Sequence, residues 1–166
     1  TKPNTCLTVL DVGSRYTSVI MQPEQGHPFI RDLPIAGKEI LAGLHEYTKI
    51  SEDELKRILF YSNSSDIDVN LLEEGLRISM QKLFEDIRES LRYNLVQNSG
   101  VQLEKVYLSG GWALSPLFVK LIAEIFPAPV EVFNPFNYLP CELPDSQKEQ
   151  LTEIGPLFTV AAGLAM

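Results

Sequence analysis

Two strand-like segments that each end in a glycine turn constrain the fold of this 166-residue chain more than any other feature. Residues 5–12, an apolar run with Asp11 near its end, stop at Gly13, and residues 105–108 stop at Ser109-Gly110-Gly111. Short apolar runs bounded by turn residues are typical of buried strands. The sequence between the two turns has mainly helical periodicity, so the chain is predicted to have an α/β fold.

The predicted sheet begins with three strands that follow one another along the chain, at residues 5–12, 17–21 and 29–35. Strands joined by short turns pair antiparallel. Further strands are predicted at 105–108 and 130–133, after helical connections that allow parallel pairing. We therefore expect a mixed sheet with an antiparallel three-strand start and helices on both faces.

The helices are predicted from apolar spacing and from their end signals. Capping boxes at Ser51 with Glu54 and at Asn70 with Glu73 mark two helix starts. The second opens a stripe of apolar residues that runs to about Gln97, which predicts one long helix of roughly 40 Å. The remaining predicted segments are helices at 38–47, 116–126 and 156–165, a polar break at 62–68 and a Pro-rich loop at 134–148.

Composition excludes several classes of protein. The formal net charge is −8, from 14 lysines and arginines against 22 aspartates and glutamates; this sign repels a phosphate backbone, so we expect no nucleic-acid partner. Cys6 and Cys141 lie far apart without clustered histidines, which argues against a zinc site or a disulfide framework. No apolar run is long enough to span a membrane and no signal peptide is visible.

Both glycine turns carry residues suited to a nucleotide. A carboxylate at a strand end, here Asp11, can hold Mg²⁺ through water, and Gly13 lets backbone amides approach phosphate oxygens. Ser14 and Thr17 add hydroxyl donors. The Ser109-Gly110-Gly111 turn allows a flat ligand to lie against the backbone beside a helix start. Each turn alone is also ordinary turn chemistry, but their combination, with capped helices between them, is far more specific.

With its two glycine turns and the helices between them, the sequence resembles the second lobe of the actin-like ATPase superfamily, which has a ribonuclease H-like core. Within that superfamily it most closely resembles the PilM-like proteins of type IV pilus assembly. The resemblance covers almost the whole chain. It rests on D-V-G-S-R-Y-T at 11–17, the strand and turn at 31–37, S-E-D-E-L-K at 51–56, D-I-R-E-S-L-R-Y at 86–93, L-S-G-G at 108–111, F-N-P-F at 133–136 and P-L-F-T-V-A-A-G-L-A at 156–165.

The resemblance implies a site for ATP or ADP with Mg²⁺. Asp11 would act on Mg²⁺ through water and the Gly13 amide would contact the terminal phosphate, with Asp53 and Lys56 flanking adenine and ribose. A register shifted by one would use Glu54 and Arg57 instead. Ala36-Gly37 stands where PilM-like proteins usually have two glycines, which implies a stiffer turn. The full set of predicted nucleotide-binding residues is Asp11, Gly13, Ser14, Thr17, Asp53, Lys56, Gly110, Gly111 and Trp112.

The resemblance also implies a division of the chain. We expect a core subdomain at residues 1–50, a smaller helical subdomain with a long bridging helix at 51–98, and a return to the core at 99–166. The ends at Thr1 and Met166 suggest a fragment, one lobe of a protein about twice as long. Since a second phosphate loop would come from the first lobe, we expect this chain alone to be inactive as an ATPase and to bind nucleotide weakly.

The function implied is that of a cytoplasmic nucleotide-binding scaffold of type IV pilus assembly. It would associate with the inner membrane through a PilN-like cytoplasmic peptide, bound mainly by the missing lobe. Three alternatives stay open: a non-hydrolysing adaptor of type II secretion similar to GspL, a lobe of a cell-division protein like FtsA, and a lobe of a small-molecule kinase, which the same fold supports.

Overall fold

The computed structural model describes residues 4–61, 68–97, 101–139 and 144–166. Its centre is a mixed five-stranded sheet made of β1 (Thr5–Val12), β2 (Thr17–Pro23), β3 (Phe29–Leu33), β4 (Gln102–Ser109) and β5 (Val130–Val132). The order of the strands across the sheet is β3-β2-β1-β4-β5. β1 pairs antiparallel with β2 and β2 antiparallel with β3, whereas β1–β4 and β4–β5 are parallel. The predicted α/β class and antiparallel start are confirmed.

Helices connect and cover the strands. Those connecting β3 to β4 are α1 (Gly37–Thr48), α2 (Glu52–Tyr61), α3 (Val69–Ser79) and α4 (Gln81–Gln97); α5 (Pro116–Ala123) connects β4 to β5, and α6 (Asp145–Ile154) and α7 (Thr159–Leu164) follow. Short 3₁₀ turns lie at Gly111–Leu114, Pro135–Asn137 and Gly155–Phe158. In the described part of the chain, no helix has the length and apolarity needed to cross a membrane.

The single long helix predicted from residue 70 to 97 is wrong, because the helix is interrupted at Met80 between α3 and α4. The Ser79 hydroxyl donates to the Gly75 carbonyl oxygen at 2.7 Å, and back-bonds of this kind often bend helices. Met80 is itself buried, so the apolar stripe continues across the break and the periodicity could not detect it. The capping residue predicted at the start of this helix is also wrong. The Asp68 carboxylate, not the Asn70 side chain, caps α3, and it accepts a hydrogen bond from the Asn70 amide at 2.9 Å.

Two other sequence predictions need correction. The predicted loop at 134–148 contains a 3₁₀ turn and the start of α6 at Asp145, and the helix predicted at 156–165 is a 3₁₀ turn followed by the six-residue α7. Of the capping box at Ser51, one half is observed: the Glu54 amide lies 3.3 Å from the Ser51 hydroxyl. Residues 62–67 of the polar break predicted at 62–68 lie outside the described residues, as does Cys141.

Alternation along the strands gives the sheet two unlike faces. One face is buried: its residues include Leu10, Val19 and Leu108, each fully excluded from solvent. The helix α4 packs on this face, where Arg31 of β3 contacts Glu89 and Ser90. The alternate residues of β1, Asp11 among them, point to the other face and are only half-buried. At the end of this face Gly13 and Gly111 are half-buried, whereas Ser109 and Gly110 are buried.

Candidate functional site

The parallel pairing of β1 with β4 brings the two glycine turns together, although they are far apart in sequence. Asp11 is paired in register with Ser109, so both strands end at the same level of the sheet. The Ser109 hydroxyl donates to Asp11 Oδ1 at 2.9 Å. The carboxyl ends of adjacent strands in an α/β sheet are where ligands usually bind. The structure thus joins the predicted halves of the site into one.

The backbone at Gly110 can be formed only by glycine. Its φ of +85° is a conformation that L side chains rarely adopt. A Cβ there would lie 2.5 Å from the Val12 carbonyl oxygen and 2.8 Å from Asp11 Oδ1. The missing side chain therefore lets the β4 turn pass directly against the end of β1. At Gly111 a Cβ would only touch Leu157 at 3.5 Å, an ordinary contact.

The hairpin between β1 and β2 is held closed by its own backbone. The Gly13 amide donates to the Tyr16 carbonyl oxygen at 3.1 Å, so this amide lies inside the hairpin, and its predicted phosphate contact stays a prediction. Within the described residues, the amides of Ser14, Arg15 and Tyr16 have no hydrogen-bond acceptor. These three amides at an exposed tip are the donors that an anion would meet there.

The first residues of α1 are hydrogen-bonded to the hairpin between β1 and β2. The first amides of a helix lack partners within the helix, and here they donate outward: Gly37 to the Gly13 carbonyl oxygen at 3.1 Å and Lys38 to that of Ser14 at 2.8 Å. The buried Thr17 hydroxyl donates to the Ile35 carbonyl oxygen at 2.8 Å. Thr17 therefore ties β2 to the turn before α1, and the hairpin and this helix end form one hydrogen-bonded unit.

Trp112, predicted beside the nucleotide, lies in the core just behind the Gly110-Gly111 turn. Its ring packs against Phe60 of α2 and Phe118 of α5, with ring centroids 5.4 Å and 5.1 Å away. A Cβ on Gly37 would lie 1.9 Å from Trp112 Nε1. The Ala36-Gly37 sequence therefore has a packing reason: the indole edge fills the space that a side chain at 37 would need.

Asp53 and Lys56, predicted to flank adenine and ribose, form an exposed pair on α2 with 3.2 Å between Lys56 Nζ and Asp53 Oδ1. Lys56 precedes Phe60 by one helical turn, so it shares a face with the residue that contacts Trp112. The alternative pair, Glu54 with Arg57, lies at 3.5 Å. Phe60 brings α2 to the glycine turn, but Arg57, three residues before Phe60, lies on the same face, so both registers stay open.

A metal at this site would take few ligands from the protein. Across residues 4–61, 68–97, 101–139 and 144–166, no group of three or more His, Cys, Asp or Glu side chains could hold a metal ion. Asp11 offers a carboxylate, and Mg²⁺ is commonly bound by one or two carboxylates together with waters and phosphate oxygens. The residues present therefore fit Mg²⁺ bound with a phosphate ligand, and do not fit a site built from side chains alone.

The sequence motifs did not identify Ser109 as a partner of Asp11. The Gly-Gly pair marked the turn, but which strand lies beside β1 decides what the preceding residue contacts. The register shows a row across four strands: Asp32 of β3, Ser18 of β2, Asp11 of β1 and Ser109 of β4. Predicting this row would have required the strand order.

Similarity to known proteins shows the family and the fold of this chain. A family model described as type IV pilus assembly protein PilM matches residues 1–166. Among curated proteins, none matches this chain. The solved structure of a PilM-PilN type IV pilus biogenesis complex contains a similar chain, with 26% sequence identity and a TM-score of 0.72 over 99% of this chain and 46% of that one.

Two more distant structures share the fold. The ethanolamine utilization protein EutJ from Carboxydothermus hydrogenoformans matches with 19% identity and a TM-score of 0.62, over 97% of this chain and 49% of that one. MreB5 of Spiroplasma citri bound to ADP matches with 14% identity and a TM-score of 0.64, over 98% of this chain and 53% of that one. The chain spans about half the length of the solved relatives it matches.

Proposed function

This chain belongs to the family of type IV pilus assembly protein PilM, and we propose that it is the nucleotide-binding second lobe of an actin-like scaffold in pilus assembly. The observation that carries the proposal is the junction of the two glycine turns. There Asp11 is hydrogen-bonded to Ser109, and Gly110 has no room for a side chain beside that carboxylate.

The proposed ligand is ATP or ADP with Mg²⁺. A bound Mg²⁺ would neutralise phosphate charge; on this chain Asp11 would hold it through water, and the amides of 14–16 would face the terminal phosphates. Gly110 and Gly111 would accept the adenosine against the backbone, with Asp53 and Lys56 at its edge. The exposed amides at the hairpin tip support the phosphate part of this arrangement. At the glycine turn Gly111 is half-buried, whereas Gly110 is buried and its amide donates to the Pro156 carbonyl oxygen at 3.0 Å.

A second lobe of this kind forms only half of a nucleotide site. The chain covers 46% of the chain in the PilM-PilN complex, which supports a protein of two lobes. We propose that the first lobe supplies the second phosphate loop, so that hydrolysis, if the protein performs it, needs both. The division into a core at 1–50 and 99–166 and a helical subdomain at 51–98 belongs to the same proposal.

We further propose that the full-length protein binds a PilN-like cytoplasmic peptide. The support is the similarity to a chain of the PilM-PilN complex, at 26% identity and a TM-score of 0.72. On this proposal the protein is cytoplasmic, lies at the inner membrane through that partner, and binds it mainly through the first lobe. Nucleotide held between the lobes would then set their relative position.

The test is calorimetry of the full-length protein with ATP and Mg²⁺, comparing the parent with Asp11→Asn. Replacing the carboxylate by an amide keeps its shape but removes the charge that would hold Mg²⁺, so we expect affinity for Mg²⁺-ATP to fall roughly 10- to 100-fold. The matched control is Asp32→Asn, which changes a carboxylate in the same sheet row, two strands away. We expect it to bind like the parent.

The same titration separates the alternatives. A parent protein that binds neither ATP nor ADP contradicts the proposal and supports a non-binding adaptor role. Equal losses in Asp11→Asn and Asp32→Asn would mean that the site is not at Asp11. Transfer of phosphate from ATP to a metabolite would point to a kinase.

A further inference from the structure

Among the residues that the structure describes, Asp11 has one side-chain hydrogen-bond partner, and it comes from the second glycine turn. Ser109 lies on β4 directly beside Asp11, and its hydroxyl donates to Asp11 Oδ1 at 2.9 Å. In the described part of the chain, no hydrogen bond reaches the other carboxylate oxygen, Oδ2. One oxygen of Asp11 is thus fixed by the protein while the other is left for a ligand.

The strand on the opposite side of Asp11 presents the same residue type without the same contact. Ser18 of β2 is paired in register with Asp11, but its hydroxyl donates outward to Asp32 Oδ1 at 2.6 Å. The row across the sheet therefore contains two hydroxyl–carboxylate pairs, Ser18 with Asp32 and Ser109 with Asp11. Only the second lies at the junction of the glycine turns.

The environment of Ser109 suits a positioning role. Its side chain is fully excluded from solvent, so water does not compete for its hydroxyl. The Asp11 side chain is only half-buried, so without this bond its carboxylate could adopt several orientations. A hydrogen bond from a buried donor to a charged acceptor is stronger than one between neutral groups. The bond selects one carboxylate orientation before any ligand arrives.

We infer that Ser109 is a positioning residue for Mg²⁺-nucleotide: its hydroxyl holds Asp11 Oδ1 so that Oδ2 faces the water shell of the bound Mg²⁺. The inference rests on the proposed function. On this inference Ser109, the residue before the two glycines, orients a carboxylate, whereas Gly110 and Gly111 only provide space. Ser109 acts through Asp11 and does not touch the nucleotide.

The test is calorimetry of the full-length protein with ATP, once with Mg²⁺ and once with EDTA, comparing the parent with Ser109→Ala. We expect affinity for Mg²⁺-ATP to fall roughly tenfold, the effect of one hydrogen bond to a charged group. Affinity for metal-free ATP should change less than about twofold. A merely structural defect would lower both affinities together, so the ratio of the two is the decisive readout.

Two further variants sharpen the result. Ser18→Ala removes the equivalent hydroxyl from the neighbouring pair and should leave both affinities unchanged. In an Asp11→Asn background, Ser109→Ala should have no additional effect on Mg²⁺-ATP, because the residue through which it acts is already changed. If Ser109→Ala does not fold, Ser109→Cys keeps the side-chain length with a weaker donor and is measured in the same way.

The possible results separate the positioning role of Ser109 from the proposed nucleotide-binding function on which it rests. A parent that binds Mg²⁺-ATP, with an unchanged affinity ratio in Ser109→Ala, overturns the positioning role and leaves the nucleotide site intact. Additive losses in the double variant overturn it equally. A parent that binds no nucleotide overturns the proposed function, and the role of Ser109 with it.

Discussion

At the scale of single residues, the glycine turn after β4 depends on one position more than on its neighbour. Gly110 has a positive φ and faces the Val12 carbonyl oxygen and the Asp11 carboxylate, both within 3 Å of where a Cβ would be. Gly111 has neither constraint, since its nearest neighbour is Leu157 at 3.5 Å. The two glycines look equivalent in the sequence, but only the first is required by the backbone.

We predict that Gly110→Ala destabilises the protein by about 2 kcal/mol or more, from backbone strain of about 1–3 kcal/mol together with the clash against β1. Gly111→Ala is the matched control and should change the free energy of unfolding by less than about 0.5 kcal/mol. Urea unfolding followed by circular dichroism measures both. Equal destabilisation by the two substitutions would contradict this account of the turn.

The residues of the candidate site were predictable one by one, whereas their partners were not. Motif chemistry identified Asp11, Gly110 and Gly111, because carboxylates and glycines at strand ends have recognisable uses. The contact from Ser109 and the position of Trp112 behind Gly37 depend on which strands and helices are adjacent. Side-chain type and local spacing carry no information on that adjacency.

At the scale of elements, periodicity predicted where helices occur better than where they end. The apolar stripe from residue 72 to 91 is real, but it continues through Met80, where the helix breaks. Next to the break the Ser79 hydroxyl donates to the Gly75 carbonyl oxygen, a contact that a pattern of apolar positions does not reveal. Both Asp68 and Asn70 are residue types that cap helices, and only the structure distinguishes them.

The contact between α3 and α5 depends on a charge network around Glu73. Its carboxylate lies 2.7 Å from Lys120 Nζ and 3.3 Å from Arg77, which also contacts Glu124 of the segment after α5. The hydrogen bond from Lys120 is the main cause that lowers the pKa of Glu73, and the hydrogen bond from Arg77 lowers the pKa of Glu124. Both carboxylates are thus stabilised in the charged form by folding.

A lowered pKa in the folded state fixes the sign of the pH dependence. The network contributes stability above the ordinary glutamate pKa of about 4.5, and that contribution is lost as the pH falls through the lower folded-state pKa values. We predict that Glu73→Gln lowers the melting temperature at neutral pH and that the difference from the parent shrinks below about pH 4.5. Thermal melts at several pH values measure this difference.

The matched control for that experiment is Glu153→Gln on α6. Within the described residues the Glu153 side chain has no ion pair or hydrogen bond, so its substitution should leave the melting temperature close to that of the parent at every pH. A difference between Glu73→Gln and the parent that stays constant down to about pH 3 would show that the charge of Glu73 contributes nothing.

At the scale of the whole molecule, the strand order is what turns separate motifs into one site. The sequence predicted the antiparallel start correctly, because short turns leave adjacent strands few alternatives. It did not place β4, since a strand that returns after four helices can pair at either edge. The order β3-β2-β1-β4-β5 puts β4 beside β1 and so creates the contact between Asp11 and Ser109.

The net charge of the chain, −8, determines how the proposed site must attract an anion. Mg²⁺-ATP is itself negatively charged, so the long-range electrostatic field of this lobe repels it. In the proposed site the amides of 14–16 and a Mg²⁺ held by Asp11 would attract the phosphates only at short range. Added salt screens the long-range repulsion much more than the short-range contacts; the screening length falls from about 30 Å at about 10 mM salt to about 8 Å at about 150 mM.

We therefore predict that the affinity of residues 1–166 for Mg²⁺-ATP stays constant or rises when KCl is raised from about 20 mM to about 200 mM at fixed free Mg²⁺. A steep fall would contradict recognition by amides and Mg²⁺, and would instead implicate Arg15 and Lys38, which are exposed beside the hairpin. In that case Arg15→Gln should flatten the salt dependence, whereas on the present account it leaves the slope unchanged. Equilibrium titration of the parent and Arg15→Gln at both salt concentrations decides whether the backbone or the basic side chains attract the phosphates.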